Sequence, residues 1–404
     1  MAIVPIAASA IRLNQPVPFA LRDAAGLMLV PRGGMVTSEA VLKQLSERGV
    51  YIDLGDAEAF KKAMAGKMDS MVRNNTRLGR IAESEVDEKE VLQNYAAQGT
   101  PRQVEPGLSW DGLVTRAAGA LRDPQPEEFL SRIDRIDDGL LSMLGTNADH
   151  ALLTLIHGAS TDSQKYSVHH ALLVTVLVEL ASRHLLAWPK EWRAPLRRAA
   201  LTMNIAMTNP QDQLAVQDTP ISTQQRELIK SHARQGQAML SELGVTDSLW
   251  LAAVAHHHSS PSGSLASMEP ALQLARLIMR ADVFAARLSP RKTRRAMSAT
   301  AAAKSAYLDE NQQPDEAGAA IIKATGLYPP GSFVRLANAE VAIVLRRGLR
   351  ANNPVVASVV GVNGLPLSKQ IVRDTRHKQY EIKCSAAPHE VMVRLSVQSL
   401  LQLS

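Results

Sequence analysis

Histidines are concentrated in the middle third of the chain, where their spacing could build a metal site. His170 begins an apolar segment, His232 lies in ELIKSHARQGQAML, and the triplet His256–His258 ends SLWLAAVAHHH. Asp282 stands in the apolar segment LARLIMRADVFAARL, and a buried carboxylate needs a partner. Imidazoles and a carboxylate from separate helices suit a first-row metal ion in a helical bundle. A buried histidine is also often a hydrogen-bonded core residue, so spacing alone leaves both interpretations open.

A basic turn follows the segment that carries Asp282. Arg291 and Arg294 come directly after Ser289-Pro290, which is expected to break the helix. Guanidinium groups match phosphate oxygens in geometry and charge. The pattern therefore allows a phosphate-binding site, and an ordinary solvated basic turn is the alternative.

Helices should position these side chains. The apolar segment HHALLVTVLVELASRHL predicts a helix buried on all sides, and nearly all of residues 151–324 has a helical pattern. The segments SWDGLVTRAAGAL and PEEFLSRIDRIDDGLLSML predict two further helices before it. Residues 56–105 are polar and predict a linker or a solvated helix. The expected core is thus a bundle of five to seven helices.

Short strands are expected at both ends of the chain. PVPFALRD and LMLVPRG predict two strands, Ser38 caps a predicted helix that ends at Gly49, and VYIDL predicts a third strand. After Gly331, SFVRLANAEVAIVLRR and PVVASVVGVNG show the period of two and the turn residues that are typical of strands. We expect a small α+β module at the start and a β subdomain of three to five strands at the end.

Composition limits the possible classes. A chain of 404 residues can form two or three domains. Its one cysteine, Cys384, excludes an intramolecular disulfide and thiolate zinc clusters, and it suits a reducing cytoplasm. We find no apolar run near the roughly 20 residues of a membrane span. The apolar start lacks the basic residues of a signal peptide, because the first one, Arg12, comes after it. Residues 327–404 carry ten Lys or Arg and four Asp or Glu, which we interpret as a solvated basic surface rather than a nucleic-acid or lipid site.

Several segments resemble motifs of the HD-GYP family, in order and spacing. YSVHHALLV resembles the family's opening helix, and SHARQGQAML resembles its His-Pro-x-x-Gly-x-x-x-Leu segment. HHSSPSGS resembles the run His-His-Glu-x-x-Asp-Gly-Ser, and RADVFAARLSPRKTRRAM resembles the helix with the last metal aspartate. GLYPPGSFVRLANAEVAIVL resembles a segment that often follows the domain, and the first fifty residues resemble a module that precedes it. The resemblance implies residual metal ligands at His170, His232, His257, His258 and Asp282. A one-residue shift would pair His256 with His257, so which members of the triplet face the pocket stays open.

The chain departs from the family pattern at its central motif. The His-Asp pair falls at Met203-Asn204, and the lysine that follows it falls at Met207. Ser259 replaces a glutamate, and Gly-Tyr-Pro is absent. In the family the missing aspartate bridges two metal ions, and its loss leaves one carboxylate to balance as many as four positive charges. The resemblance therefore implies either no metal or a single divalent ion of the iron or manganese type. It also implies that Arg291 and Arg294 contact phosphate.

These observations predict a mainly α protein with an HD-type helical bundle. The expected parts are an N-terminal α+β module (1–55), a helical linker region (56–150), a degenerate HD-GYP domain (151–325) and a C-terminal β subdomain (326–404). The expected function is cyclic di-GMP signalling in bacteria by a catalytically impaired protein, which binds cyclic di-GMP or a related nucleotide and a signalling protein. The alternatives are a weak single-metal phosphodiesterase or phosphohydrolase, and an interaction scaffold without a small ligand.

Overall fold

The structure is a computed structural model, and the residues that it describes fall into two compact units, Met1–Thr100 and Pro101–Ser404. The described residues are 3–6, 11, 17, 19–23, 27–31, 34–53, 108–161, 165–183, 188–259, 263–348, 350 and 352–404. The predicted linker at 56–105 and the middle of the loop after the histidine triplet lie outside them. Domain boundaries at 55, 150 and 325 stay predictions.

The described part of the first unit is an antiparallel sheet with one helix. Its strand order is β1-β4-β2-β3. The elements are β1 (Ile3–Ile6), β2 (Leu21–Arg22), β3 (Met28–Val30), α1 (Glu39–Arg48) and β4 (Val50–Asp53). The Ser38 hydroxyl accepts a hydrogen bond from the Val41 N–H, and Gly49 ends α1 with a φ of 74°, as the sequence predicts. Strand β1 was not predicted. It pairs with β4 across more than forty residues, and local pattern cannot reveal such a partner.

The second unit is a helical bundle that continues into a β-sheet. Its helices before the sheet are α2 (Trp110–Arg122), α3 (Phe129–Thr146), α4 (Ala148–Thr161), α5 (Tyr166–Ser182), α6 (Arg193–Thr202), α7 (Thr208–Val216), α8 (Thr223–Glu242), α9 (Ser248–His256), α10 (Pro270–Leu288), α11 (Ala299–Tyr307) and α12 (Glu316–Thr325). A last short helix, α13 (Val397–Leu401), follows the sheet. Within the described residues, we find no helix that is both long and apolar enough to cross a bilayer.

Helix α5 is the centre of the bundle. Every residue of it except His169 is buried, because its sequence is apolar on all sides. Neighbouring helices hold it partly through charge. The buried Arg197 guanidinium of α6 donates to both Asp137 oxygens of α3, at 2.5 and 2.8 Å, and to a Glu179 oxygen of α5, at 2.9 Å. This contact joins three helices around the centre of the bundle.

The C-terminal sheet has five antiparallel strands in the order β8-β7-β6-β5-β9. The strands are β5 (Phe333–Leu336), β6 (Val341–Arg346), β7 (Val355–Val360), β8 (Pro366–Asp374) and β9 (Ile382–Ala386). One face forms a core with Leu153 of α4 and Leu400 of α13. The mainly α fold with a small sheet at each end is therefore confirmed.

Candidate metal and anion site

Three imidazoles from α8 and from the end of α9 form a tight cluster. One ring nitrogen each of His232, His257 and His258 lies within 4.8 Å of the other two. The His232 and His257 Nε2 atoms are 3.2 Å apart. The rings of His257 and His258 have centroids 4.1 Å apart. Among the residues with described positions, this is the group of three or more histidine, cysteine or acidic side chains that could hold a metal ion.

Backbone carbonyls determine the tautomers of the two buried rings. His232 Nδ1 lies 2.7 Å from the Ile229 carbonyl oxygen, and His257 Nδ1 lies 2.7 Å from the Val254 carbonyl oxygen. A carbonyl only accepts, so each Nδ1 carries the proton and donates it. In the neutral rings, both Nε2 atoms then present lone pairs to one another, which is repulsive unless a cation or a proton lies between them.

The predicted carboxylate ligand contacts the histidine of the central helix. Asp282 Oδ1 of α10 lies 2.7 Å from His170 Nε2 of α5. His170 is almost fully buried, and its Nδ1 has no hydrogen-bond partner among the described residues. Asp282 is close enough to His257 and His258 to interact with both electrostatically. The structure thus brings all five predicted residual metal ligands into one region.

The pKa shifts follow from burial and charge. Burial is the largest cause that lowers the pKa of His257 to about 3, and the neighbouring His258 adds to it. Burial likewise lowers the pKa of His232. For Asp282, burial opposes ionisation, but the His170 hydrogen bond and the surrounding imidazoles hold its pKa well below the ordinary value. The buried His232 and His257 imidazoles are therefore held neutral in the same region as the ionised Asp282 carboxylate.

The segment that the sequence predicts in place of the His-Asp motif packs beside His232. Met203 and Met207 are buried, and residues 205–207 form a short 3-10 turn. The Met203 carbonyl oxygen lies 3.7 Å from the position that a Cβ on Gly236 would take, one turn beyond His232. Asn204 is half-buried, and its carbonyl oxygen accepts from the Met207 N–H at 2.9 Å. Buried methionine side chains and a short 3-10 turn therefore lie beside His232, and the loss of a carboxylate and an ammonium group at this segment stays a prediction.

The two predicted phosphate-contact residues follow α10, and Arg291 contacts the first residue of α5. The Arg291 guanidinium donates to the Tyr166 hydroxyl, from Nε at 3.3 Å and from Nη2 at 3.1 Å. The Arg294 Nη2 donates to the Ala286 carbonyl oxygen at the end of α10, and its buried Nε has no partner among the described residues. Burial lowers the pKa of Arg294, and the nearby charges of Arg291 and Arg287 add to this effect. Phosphate contact stays a prediction for both arginines.

His256 lies apart from its two neighbours in the triplet. It is exposed, and its Nδ1 lies 3.4 Å from the Ser259 hydroxyl oxygen. Tyr166 was not predicted as a site residue, although it lies four residues before His170 on one helix. That spacing places both rings on the same helix face and was an available signal.

No protein-family model matches the chain. A curated relative, Cyclic di-GMP phosphodiesterase PA4108 of Pseudomonas aeruginosa, is 26% identical over 219 residues, which are 53% of this chain and 51% of the relative. The chain thus spans about half the length of that relative. A solved structure, Bd1817, a HDG"Y"P protein from Bdellovibrio bacteriovorus, covers 80% of this chain and 98% of its own at 16% identity and a TM-score of 0.40.

The chain is related to HD-GYP proteins. This similarity supports the family that the motif order predicts, and the loss of the His-Asp pair stays a prediction. The geometry of the HD-GYP-like bundle also fits a divalent ion. Its donors are imidazole nitrogens with tautomers set by backbone carbonyls, as is usual for metal-binding histidines, and one carboxylate lies beside them.

Proposed function

We propose that the HD-GYP-like bundle binds one divalent metal ion and acts in cyclic di-GMP signalling by binding a ligand, with little or no turnover. A cytoplasmic location is part of the proposal and is supported by the single cysteine. A signalling protein is the partner that would respond to the bound state.

The observation that carries the metal proposal is the pair of facing Nε2 atoms. His232 and His257 turn their lone pairs toward each other at 3.2 Å, while their Nδ1 protons are held by carbonyl oxygens. A cation that accepts both lone pairs removes this repulsion. His258 offers a third nitrogen and Asp282 a nearby oxygen. Such a donor set suits an iron-type ion better than manganese, because imidazole is a softer ligand than carboxylate.

A second ion has little support at this site. Asp282 already contacts His170, and the neighbouring motif contributes Met203, Asn204 and Met207. A thioether is a poor ligand for hard metals, and an amide oxygen neutralises no charge. A single bound ion would supply a positive charge for a phosphate oxygen. The bridging arrangement that family members use for hydrolysis would be missing.

The arginines beside Tyr166 support an anionic ligand. Among the ion pairs of the described residues, none involves Arg287, Arg291 or Arg294. Burial is the largest cause that lowers the pKa of Arg294, and the nearby charges of Arg291 and Arg287 lower it further. Like charges held together without carboxylates favour an anion between them. The curated relative is named for activity on cyclic di-GMP. A cyclic dinucleotide, with two phosphodiester groups, is therefore the ligand class that we propose.

Metal analysis and calorimetry test this proposal together. The purified protein should hold close to one equivalent of iron or a similar ion, and His257→Ala should lose it. His256→Ala is the matched control, because His256 is the adjacent exposed ring outside the cluster. Cyclic di-GMP should bind in a calorimetric titration, and Arg291→Ala/Arg294→Ala should weaken it by more than tenfold, since a charge-assisted contact contributes about 1.5–3 kcal/mol. If the wild-type protein binds neither metal nor cyclic di-GMP, this result would favour the alternative of an interaction scaffold without a small ligand.

The second candidate function is weak hydrolysis on the single ion. It is favoured by the retention of the three-histidine cluster and Asp282. Cyclic di-GMP should be incubated with iron- and manganese-loaded protein, and the linear product measured. Turnover above background that disappears in His232→Ala would replace the binding proposal with this one.

A further inference from the structure

Tyr166 contacts both parts of the candidate site through opposite ends of its side chain. Its ring stacks on the His170 imidazole, with centroids 5.6 Å apart and planes 8° from parallel. Its hydroxyl accepts two hydrogen bonds from Arg291, whose guanidinium carbon lies 4.9 Å from the ring centroid. The residue is almost fully buried, at 2% exposure.

Helix α7 holds both partners of this contact in place. Helix α5 begins at Tyr166 without a side-chain cap of its own. Instead, the Asp212 carboxylate of α7 accepts from the Ser167 N–H at 2.7 Å and from the Arg122 guanidinium at 2.7 Å. On the other side, the Lys292 N–H donates to the Ala215 carbonyl oxygen, also of α7, at 2.8 Å.

This anchoring constrains both sides of the tyrosine. The start of α5 and the turn with Arg291 are tied to one helix, so a shift of Tyr166 would disturb one of these hydrogen bonds. Stacking limits rotation of the His170 ring, and that ring in turn contacts Asp282 at 2.7 Å. The hydroxyl limits the guanidinium of Arg291, which otherwise has several rotatable bonds and would lose entropy on binding an anion.

We propose that Tyr166 is a positioning residue with two separable roles. Its ring orients His170, and through it Asp282, for the metal. Its hydroxyl holds Arg291 ready for a phosphate group. This inference rests on the proposed function and adds the residue that links the metal-binding part to the anion-binding part.

Two substitutions separate the roles. Tyr166→Phe keeps the stacked ring and removes the hydroxyl, so inorganic pyrophosphate should bind about five- to tenfold more weakly to metal-free protein, as expected for lost hydrogen bonds to a charged group. Its Co²⁺ affinity should change much less. Tyr166→Leu removes the stack as well and should weaken both Co²⁺ and pyrophosphate. The visible Co²⁺ spectrum reports the ligand set independently of affinity.

The matched control is Tyr380→Phe. Tyr380 is also covered by an arginine, with the Arg373 guanidinium carbon 4.6 Å from its ring centroid, but it lies in the C-terminal sheet. It should leave both affinities unchanged. Suppose instead that the ratio of the loss of Co²⁺ affinity to the loss of pyrophosphate affinity is the same in Tyr166→Phe and in Tyr166→Leu. The side chain then has only a structural role, and the inference is wrong.

Crystal structures of the two variants distinguish failure of this inference from failure of the proposed function. Even if wild type binds no metal, the inference requires a displaced Arg291 in Tyr166→Phe and a reoriented His170 in Tyr166→Leu. Unmoved His170 and Arg291 side chains in both variants would overturn it, whatever the ligand titrations show.

Discussion

Removing the buried guanidinium of Arg197 should destabilise the second unit strongly. The side chains of Arg197 and Asp137 are only 7% and 9% exposed, so solvent cannot replace their contact. In Arg197→Met, Glu179 keeps a second partner, the Arg183 guanidinium at 3.1 Å. Asp137 loses both of its hydrogen bonds, and no other partner for it is found among the described residues. Breaking a buried pair by removing one member costs about 3–5 kcal/mol.

Urea denaturation followed by circular dichroism measures this loss. Arg198→Met is the matched control, since its pair with Asp134 is exposed and should contribute about 0–1 kcal/mol. The double variant Arg197→Met/Asp137→Asn should recover a large part of the stability, because the buried Asp137 carboxylate no longer carries an unpaired charge. A loss in Arg197→Met no greater than that in Arg198→Met would refute the reasoning, and so would a double variant less stable than Arg197→Met.

Three further outcomes follow from burial, charge and space. A hydrogen bond from Arg373 lowers the pKa of Glu340 from 4.5. The stability that Glu340 contributes is therefore complete above pH 4.5 and lost as the pH falls through the lowered pKa. In Glu340→Gln, the free energy of unfolding measured with urea should fall less steeply at acidic pH. Burial lowers the pKa of Lys323 from 10.5 to about 7, so stability should rise as the pH increases between these values. Lys323→Met should remove that rise in the same assay. A Cβ on Gly318 would come 2.0 Å from a backbone oxygen, so Gly318→Ala should lower the melting temperature by several degrees. Gly119→Ala, in open space within a helix, should stabilise by about 0.5–1 kcal/mol; equal effects of the two alanines would contradict the packing argument.

Local sequence pattern predicts a helix or strand well where the residues of the segment itself determine its structure. The cap at Ser38, the end of α1 at Gly49 and the fully buried helix α5 depend on neighbouring residues alone. Strand β1 depends on its pairing with β4, and short apolar segments are ambiguous without such a partner. Strands β5, β6 and β7 were predictable because alternation and turn residues mark them along the chain, whereas the segments of β8 and β9 were not identified.

The order of the motifs predicts more of the candidate site's residues than composition does. It names His232, His257 and His258, which the fold brings within 4.8 Å of one another. It cannot name Asp212, because the carboxylate acts from a helix 45 residues along the chain from the N–H that it accepts. It also cannot give tautomers, which depend on the carbonyl oxygens one turn before each ring. Such contacts arise only when the backbone is in place.

Charge explains how the changed motif and the retained histidines can serve one site. Imidazoles add donors without adding negative charge, so Asp282 alone offsets the charge of any bound cation. One divalent ion then leaves a single positive charge, and this charge together with the Arg291 guanidinium would match the two negative charges of a cyclic dinucleotide's phosphodiester groups. Two ions would leave three positive charges in a buried region, and the Met203 and Met207 side chains carry no negative charge to balance them. The predicted loss of the His-Asp pair is thus compatible with the proposed binding of one metal ion and an anionic ligand, because fewer ions need fewer carboxylates to balance their charge.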